Sequence, residues 1–271
     1  MTDQPRITLN DGSPMPQLGY GVFLVPPEET RRLVRDAIDV GYQAIDTATF
    51  YRNEAEVGAA LRESGKRPFV TTKLWNDHQG YDNALRHFDA SYKALGLDVV
   101  DLYLIHWPKP KQDLFVESWK ALIRLREEGR VKTIGVSNFT MAHLERIIHD
   151  TGVVPAVNQI ELHPYFQQVE LRAFHEENAI VTTSWSPLGR GGDLDDPVIA
   201  RIAQKHGKTP AQVILRWHVE NGLTVIPKSS SRARQAENLD IFDFGLDADD
   251  MHAISELDRR DGRIGPDPDV L

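Results

Sequence analysis

The chain has 271 residues, 41% hydrophobic and 26% charged, an ordinary globular balance at a length that suits one large α/β domain or two small ones. A net charge of -9 argues against a nucleic-acid or anionic-membrane surface, and the lack of cysteine excludes disulfides, thiolate metal sites and cysteine nucleophiles. No apolar run approaches ~18 residues, and residues 1–16 are polar without a signal-peptide core, so no membrane span is expected and a cytoplasmic location is.

The first expected element is a small hairpin, with Ile7-Thr8-Leu9 and Pro14-Met15 flanking the turn signal Asp11-Gly12. A short strand follows over residues 18–22. Pro26-Pro27-Glu28-Glu29 opens a helix, Leu33, Val34, Ala37 and Ile38 form its apolar stripe, and Gly41 stops it. Residues 44–46 read as a strand that ends at Asp46. The next helix starts near Glu54, with Val57, Ala60 and Leu61 as its stripe. Strand and helix then alternate. Strands are expected over 69–74, 99–105, 131–136, 157–160, 180–184 and 223–226. Helices are expected over 83–95, 114–125, 141–149, 169–177, 197–206, 210–221, 232–238 and 248–257.

Counted from residue 18, this makes eight strands. They are short and apolar without alternation, as in a parallel sheet buried on both faces. Eight such units in about 250 residues predict a (β/α)8 TIM barrel with a short N-terminal β-hairpin, one α/β domain over residues 1–271. A doubly wound sheet is the runner-up, weakened by the lack of a Gly-x-Gly-x-x-Gly turn after the first strand. The Arg190-Gly191-Gly192 stretch reads as the most flexible loop.

Barrels of this kind build their active sites where the strands end. The second strand offers Asp46 and, in its loop, Tyr51. The third offers Lys73, then Leu74 and Trp75. The fourth offers His106 and Trp107, the fifth Ser137-Asn138, the sixth Gln159 and Glu161, the seventh Trp185-Ser186-Pro187, and the eighth Lys228-Ser229. Singly, each has a plain reading. Asp46 could cap a helix, Lys73 could be solvated, His106 could be a satisfied core histidine, and the tryptophans could be rim core. The series points instead to a lined pocket holding a phenol, an ammonium, a carboxylate and an imidazole. A phenol has an unperturbed pKa of about 10 and becomes a useful proton donor beside a cation.

No metal site is expected. His143 and His149 are six apart on one predicted helix and face different sides, His163 precedes a proline in a loop, and no zinc motif is present. The run from Pro227 through Lys228, Ser229, Ser230, Ser231 and Arg232 to Arg234 follows the last strand and opens a helix. Its hydroxyls, cations and helix N-terminal amides suit a phosphate, although a solvated basic turn is the plain reading.

Three spaced motifs in order resemble the aldo-keto reductase family. They are residues 41–58 with Ile45-Asp46-Thr47-Ala48 and Tyr51-x-Asn53-Glu54, then Asp101-Leu102-Tyr103-Leu104-Ile105-His106-Trp107-Pro108, then Ile226-Pro227-Lys228-Ser229 leading to Arg234 and Glu237-Asn238. The pieces Leu18-Gly19-Tyr20-Gly21-Val22-Phe23, Thr72-Lys73-Leu74-Trp75-Asn76-Asp77 and Val157-Asn158-Gln159-Ile160-Glu161-Leu162-His163-Pro164 are similar to the bacterial 2,5-diketo-gluconate reductase branch. The resemblance implies NADPH-dependent reduction of aldehydes, ketones or dicarbonyls to alcohols by hydride transfer. It makes Tyr51 the general acid, Lys73 paired with Asp46 the group that lowers its pKa, and His106 the carbonyl-orienting group. Ser137, Asn138 and Gln159 would hold the nicotinamide carboxamide, with Trp185 stacked on the ring. Lys228, Ser229, Ser230 and Arg234 would hold the adenosine 2′-phosphate, and Glu237 and Asn238 the adenine. Val22, Ser186, Pro187, Leu188 and Ile226 would complete the cofactor seat. Phe23, Trp75 and Trp107 would wall the substrate pocket.

The chain departs from the family in three places. Many relatives close a loop over the pyrophosphate with a serine and an aspartate after the seventh strand. Here the loop reads Gly189-Arg190-Gly191-Gly192-Asp193, so faster cofactor exchange is expected. The loop over residues 109–113 and the tail past Arg263 are short, which implies an open, permissive pocket. A monomer acting on a small-molecule carbonyl is expected, with no nucleic-acid or membrane partner. The alternatives are an NADPH-binding sensor or subunit with little turnover, and a Schiff-base aldolase using Lys73.

Overall fold

The computed structural model describes residues 4–271. The chain starts with the hairpin, β1 (Arg6–Thr8) paired antiparallel with β2 (Pro14–Pro16), Ile7 opposite Met15. Asp11 closes its turn by accepting from the Ser13 amide (2.9 Å), and its other oxygen accepts from Thr133 Oγ1 (2.7 Å) at the base of the sheet.

Eight parallel strands follow in sequential order. They are β3 (Tyr20–Gly21), β4 (Ala44–Asp46), β5 (Phe69–Leu74), β6 (Val100–Ile105), β7 (Val131–Ser137), β8 (Val157–Glu161), β9 (Val181–Trp185) and β10 (Thr224–Val225). Leu18 bridges Val225, and the seam is completed by Gly19 N to Val225 O (2.9 Å), Val225 N to Gln17 O (2.8 Å) and Gly21 N to Pro227 O (3.1 Å). The sheet is therefore closed, which rules out the open doubly wound alternative. The first and last strands form shorter regular ladders than expected. Residues 17–22 divide their hydrogen bonds between two neighbours, with Val22 N turning to Asp46 O while Gly19 and Gly21 serve the seam.

The helices between strands are α1 (Pro27–Val40), α2 (Glu54–Ser64), α3 (Tyr81–Leu95), α4 (Phe115–Glu127), α5 (Met141–Thr151), α6 (Val169–Glu177), α7 (Pro197–His206) and α8 (Pro210–Glu220); α9 (Arg232–Leu239) and α10 (Ala248–Ser255) follow the last strand. Asp196, Thr209 and Asp247 cap α7, α8 and α10 through their side chains, as short polar residues do at helix starts. In α2, a side chain at Gly58 would run into the carbonyl of Leu95, so α2 crosses the end of α3 only because position 58 is glycine.

Every residue of β6 is buried, and its side chains serve two cores. Tyr103 and Ile105 join the layer between barrel and helices, with Phe88, Leu122 and Trp119. Leu102 and Leu104 point to the other face and pack with Leu9 and Met15 of the hairpin, which plugs the N-terminal end of the barrel. Burial on both faces explains the apolar run without alternation. The plug leaves the opposite rim, where the strands end, as the place for the polar series. Three short 3-10 turns stand at that rim, Thr49–Tyr51, Asn76–His78 and Gly189–Gly191, none of them anticipated from the sequence.

Candidate active site

The ends of β4 and β5 lie side by side, with Asp46 aligned to Thr71, so a long side chain leaving β5 reaches the end of β4. Lys73 does this with no exposure to solvent. Its ammonium donates to Asp46 Oδ1 (2.5 Å), to the carbonyl of Thr47 (2.9 Å) and to Tyr51 Oη (3.4 Å). Asp46 Oδ2 accepts from Gln159 Nε2 (2.7 Å), four strands away. Both carboxylate oxygens are thus matched by donors.

The turn carrying Tyr51 is held from beneath. Thr49 Oγ1 donates to the carbonyl of Lys73 (2.9 Å). Asn53 accepts from Thr47 Oγ1 (2.8 Å) and donates to the carbonyl of Val22 (3.2 Å), bracing its own loop and tying it to the loop after β3. Glu54 accepts from Thr72 Oγ1 (2.5 Å) and Ser91 Oγ (3.0 Å). The Asn-Glu pair that follows Tyr51 is therefore a support for the phenol.

The electrostatics correct one expectation. Burial, and secondarily the Asp46 charge, push the Tyr51 phenol well above its ordinary value. The Lys73 ammonium, 3.4 Å from the phenol oxygen, does not reverse the effect of burial. Burial also lowers Lys73, with Asp46 opposing. His106 is held well below the usual imidazole range by burial and by the Lys73 charge, so it is a neutral ring. Its Nδ1 is buried without a partner among the described residues.

Aromatic rings surround these groups. Phe23 stands 5.1 Å from the Tyr51 ring, and His106 meets the edges of Tyr51 (5.7 Å) and Trp75 (5.3 Å). Phe50 stacks on Trp75 at 3.8 Å and was missed from the sequence, although it is the neighbour of Tyr51. Phe23 and Phe50 are 40% and 45% exposed, which is unusual for phenylalanine and marks an open apolar rim. Trp107 is buried, and its carbonyl accepts from Gln79 Nε2 (2.6 Å).

On the far side of the rim, Ser137 Oγ donates to the carbonyl of Gln159 (2.7 Å) and Asn138 Nδ2 to the carbonyl of His106 (2.9 Å). Asn138 has a φ of 63°, a left-handed conformation that asparagine tolerates better than most residues. Its Oδ1 accepts from the Trp185 indole (2.8 Å), which sets the plane of that ring. Ser186 is left-handed too, Pro187 O meets His218 Nε2 (3.1 Å), and Leu188 packs on the core. Val22 is buried beside Asp46, and Ile226 N donates to Ser184 O (3.3 Å).

After β10, Tyr20 Oη donates to the carbonyl of Ser229 (2.6 Å), and Ser231 caps α9 by accepting from the Arg234 amide. Among the described residues, Arg232 pairs with Asp36 and Asp39, whereas exposed Lys228 and Arg234 have no carboxylate partner. Two cations without carboxylates beside Ser229, Ser230 and a helix start are the donor set that a phosphate needs. Glu237 accepts from Thr209 Oγ1 (2.8 Å), and Asn238 is buried next to it.

His163, read as a loop histidine, is buried between Glu161 and Asp193, at 3.3 and 3.2 Å. The spacing Glu161-x-His163 was visible in the sequence, but Asp193 is thirty residues on and gave no signal. A cleft of about 450 Å³ opens at the opposite end of the barrel, lined by Arg6, Lys66, Arg67, Asp101 and Lys132 among others. None of the strand-end groups reaches it.

The closed parallel barrel thus brings a phenol, a buried ammonium, a carboxylate and a neutral imidazole together at its strand ends, on the rim that also carries the loop of Lys228 and Arg234. The chain belongs to the aldo/keto reductase family, whose sequence profile matches residues 17–259. It is 54% identical to an aldo-keto reductase of Mycolicibacterium smegmatis, covering 97% of each chain. It is 50% identical to the methylglyoxal reductase DkgA of Escherichia coli K12, covering 99% of this chain and 98% of that one. Among solved structures it is similar to a mutant of Gox0644 in complex with NADPH, with a TM-score of 0.97, 56% identity and 99% of both chains covered. Among the described residues no helix is long and apolar enough to cross a membrane.

Proposed function

We propose that this protein reduces small aldehydes, ketones and above all α-dicarbonyls to alcohols with NADPH, with Tyr51 as the general acid. The observation that carries this reading is Lys73 Nζ, 2.5 Å from Asp46 and 3.4 Å from Tyr51 Oη, all at adjacent strand ends. The methylglyoxal reductase relatives and the NADPH complex of a 56% identical neighbour support the substrate class and the cofactor. The residues fit the cofactor. Among the described residues Lys228 and Arg234 are cations without a carboxylate partner, Ser229 and Ser230 add hydroxyls, and Trp185 is braced flat by Asn138.

When bound, the nicotinamide supplies a hydride to the carbonyl carbon. The oxygen then needs a proton and a place for its negative charge. Tyr51 is protonated because burial holds its phenol well above the ordinary value. It hands that proton to the oxygen, and the charge left on the phenol is stabilised by Lys73, whose attraction grows as the phenolate forms. Asp46 and Gln159 keep Lys73 aimed. Neutral His106 offers an N–H to the carbonyl oxygen without competing as an acid. Bulk water returns the proton to Tyr51.

A Schiff-base role for Lys73 is disfavoured, because its ammonium is buried among Asp46, Thr47 and Tyr51. The test is Tyr51→Phe. Methylglyoxal turnover should fall about 10²–10⁴-fold while NADPH still quenches tryptophan fluorescence. Near wild-type kcat would remove Tyr51 from the mechanism. Steroid ketones should be poor substrates, since the short 109–113 loop offers few walls. A steroid reduced with a kcat/KM above that for methylglyoxal would contradict the substrate class.

A further inference from the structure

Two segments flank the proposed site. The 189–193 loop leaves β9 beside Ser186, Pro187 and Leu188, and the tail around Gly265 leans on the edge of the Trp185 ring. A side chain at position 265 would collide with both Trp185 and the Glu161 carboxylate. Glu161 is the anchor of this tail. Its Oε1 accepts from the Ile264 amide (2.5 Å) and its Oε2 from the Gly265 amide (2.8 Å).

The loop has its own anchor. Gly189, Arg190 and Gly191 all have positive φ (54°, 53° and 98°), and this sharp bend wraps the Asp193 carboxylate so tightly that a side chain at 189 would overlap it. For arginine this conformation is uncommon and needs an outside hold. Asp193 supplies the hold, since its Oδ2 contacts His163 Nδ1 (3.2 Å) while His163 Nε2 contacts Glu161 Oε1 (3.3 Å). All three residues are buried.

We infer that Glu161, His163 and Asp193 are a positioning triad that couples the 189–193 loop to the 264–265 tail, so that the two segments hold or loosen together. This rests on the proposed function only in what the segments flank. None of the three residues is assigned to touch substrate or cofactor; they act through Trp185 and the loop.

An imidazolium between two buried carboxylates is the charge state that keeps the link intact. Burial alone lowers His163, but its hydrogen bonds to Asp193 and Glu161 outweigh that and raise it to about 9. The other groups facing it are silent in that range. Burial holds His218 down to about 3, so it is neutral. Tyr165, which donates to Asp196 beside the loop and lies under Arg259, is pushed up to about 12 by burial and by Asp196. A histidine raised above its unfolded value contributes stability that is full below about pH 6.5 and is lost as pH rises through its folded value. The coupling should therefore weaken at alkaline pH.

The test is site-resolved amide hydrogen exchange on the whole protein without cofactor. Asp193→Asn lies outside the tail and should speed exchange at Ile264 and Gly265 by about 5–150-fold, the range of ordinary coupling energies. Glu161→Gln should do the same to residues 189–193. Exchange that rises only in the mutated segment would overturn the coupling. A second measurement needs no variant. In the wild-type protein, after correction for intrinsic rates, protection of both segments should fall together between about pH 7.5 and 9.5, and unchanged protection would also overturn it. Failure of NADPH to bind would count against the proposed function and would leave this result standing.

Discussion

The two ends of the barrel each hold a buried aspartate on a strand, and they use it differently. At the N-terminal end, Asp101 accepts from the Val70 amide (2.9 Å), Arg67 (2.6 Å) and Lys132 (2.8 Å). Those cations are 44% and 56% exposed. At the C-terminal end, Asp46 meets Lys73, which is 0% exposed and also reaches a phenol. Both are carboxylate–cation pairs. Where the cation is solvated, water screens it and the pair is a clasp between strands. Where the cation is buried, its field reaches a third, ionisable group, and the pair becomes chemistry. Burial of the cation is what separates the two.

The sharpest way to break this contrast is Lys73→Met. It removes the buried cation and leaves Asp46 supported by Gln159 alone. Turnover should fall about 10²–10³-fold, and urea unfolding should register a loss of roughly 3–5 kcal/mol. A stable, active Lys73→Met enzyme would end the argument from burial.

The second prediction concerns Arg234, an exposed cation without a carboxylate partner among the described residues. A charge-assisted hydrogen bond contributes ~1.5–3 kcal/mol, so Arg234→Ala should weaken NADPH about 10–150-fold and leave NADH nearly unchanged. The loss should shrink with added salt. Arg232→Ala, which removes a residue already engaged with Asp36 and Asp39, should alter the two cofactors equally or not at all. Fluorescence titration of both cofactors decides it, and equal weakening of NADH by Arg234→Ala rules out the phosphate assignment.

At the other end, Asp101→Ala leaves the Val70 amide without its acceptor and should cost about 1–3 kcal/mol of stability. Methylglyoxal kcat should not change, because no strand-end group touches it. A drop in kcat without a drop in stability would mean that the two ends are not separate. The smallest effect is expected for Lys132→Ala, about 0–1 kcal/mol by thermal or urea unfolding. A larger loss would show that this surface pair is more than a screened clasp.

Much of this was legible in the chain. The eight strand–helix units came from apolar runs and helix punctuation, which are local signals. β4, β5, α6 and α7 have the expected bounds. The strand-end series was legible because parallel strands place their last residues on one rim whatever the details. Phe50 was passed over because an aromatic beside a motif tyrosine reads as core until its exposure and its stack on Trp75 are known. Asp101 opens the motif that runs through His106 to Pro108, but it does not share the active-site end of the barrel. Five residues of β6 carry it to the far end of the barrel instead.

By itself, then, the sequence determined the alternation, the number of strands, the barrel class and which residue types meet at the rim, since these depend on neighbours a few positions apart. Tertiary structure alone decided the electrostatic state of those residues. Tyr51 is raised rather than lowered because the fold buries its phenol, with the nearby Asp46 charge adding to the rise. His163 is a charged link rather than a loop residue because Asp193 folds back onto it from thirty positions away. Among the described residues Arg234 has no carboxylate partner while Arg232 is paired, because α1 passes beside α9 and offers Asp36 to one of them. The reason is common to all three. Periodicity needs only the order of residues, whereas a buried charge answers to every group within a few ångströms, and those groups come from anywhere in the chain.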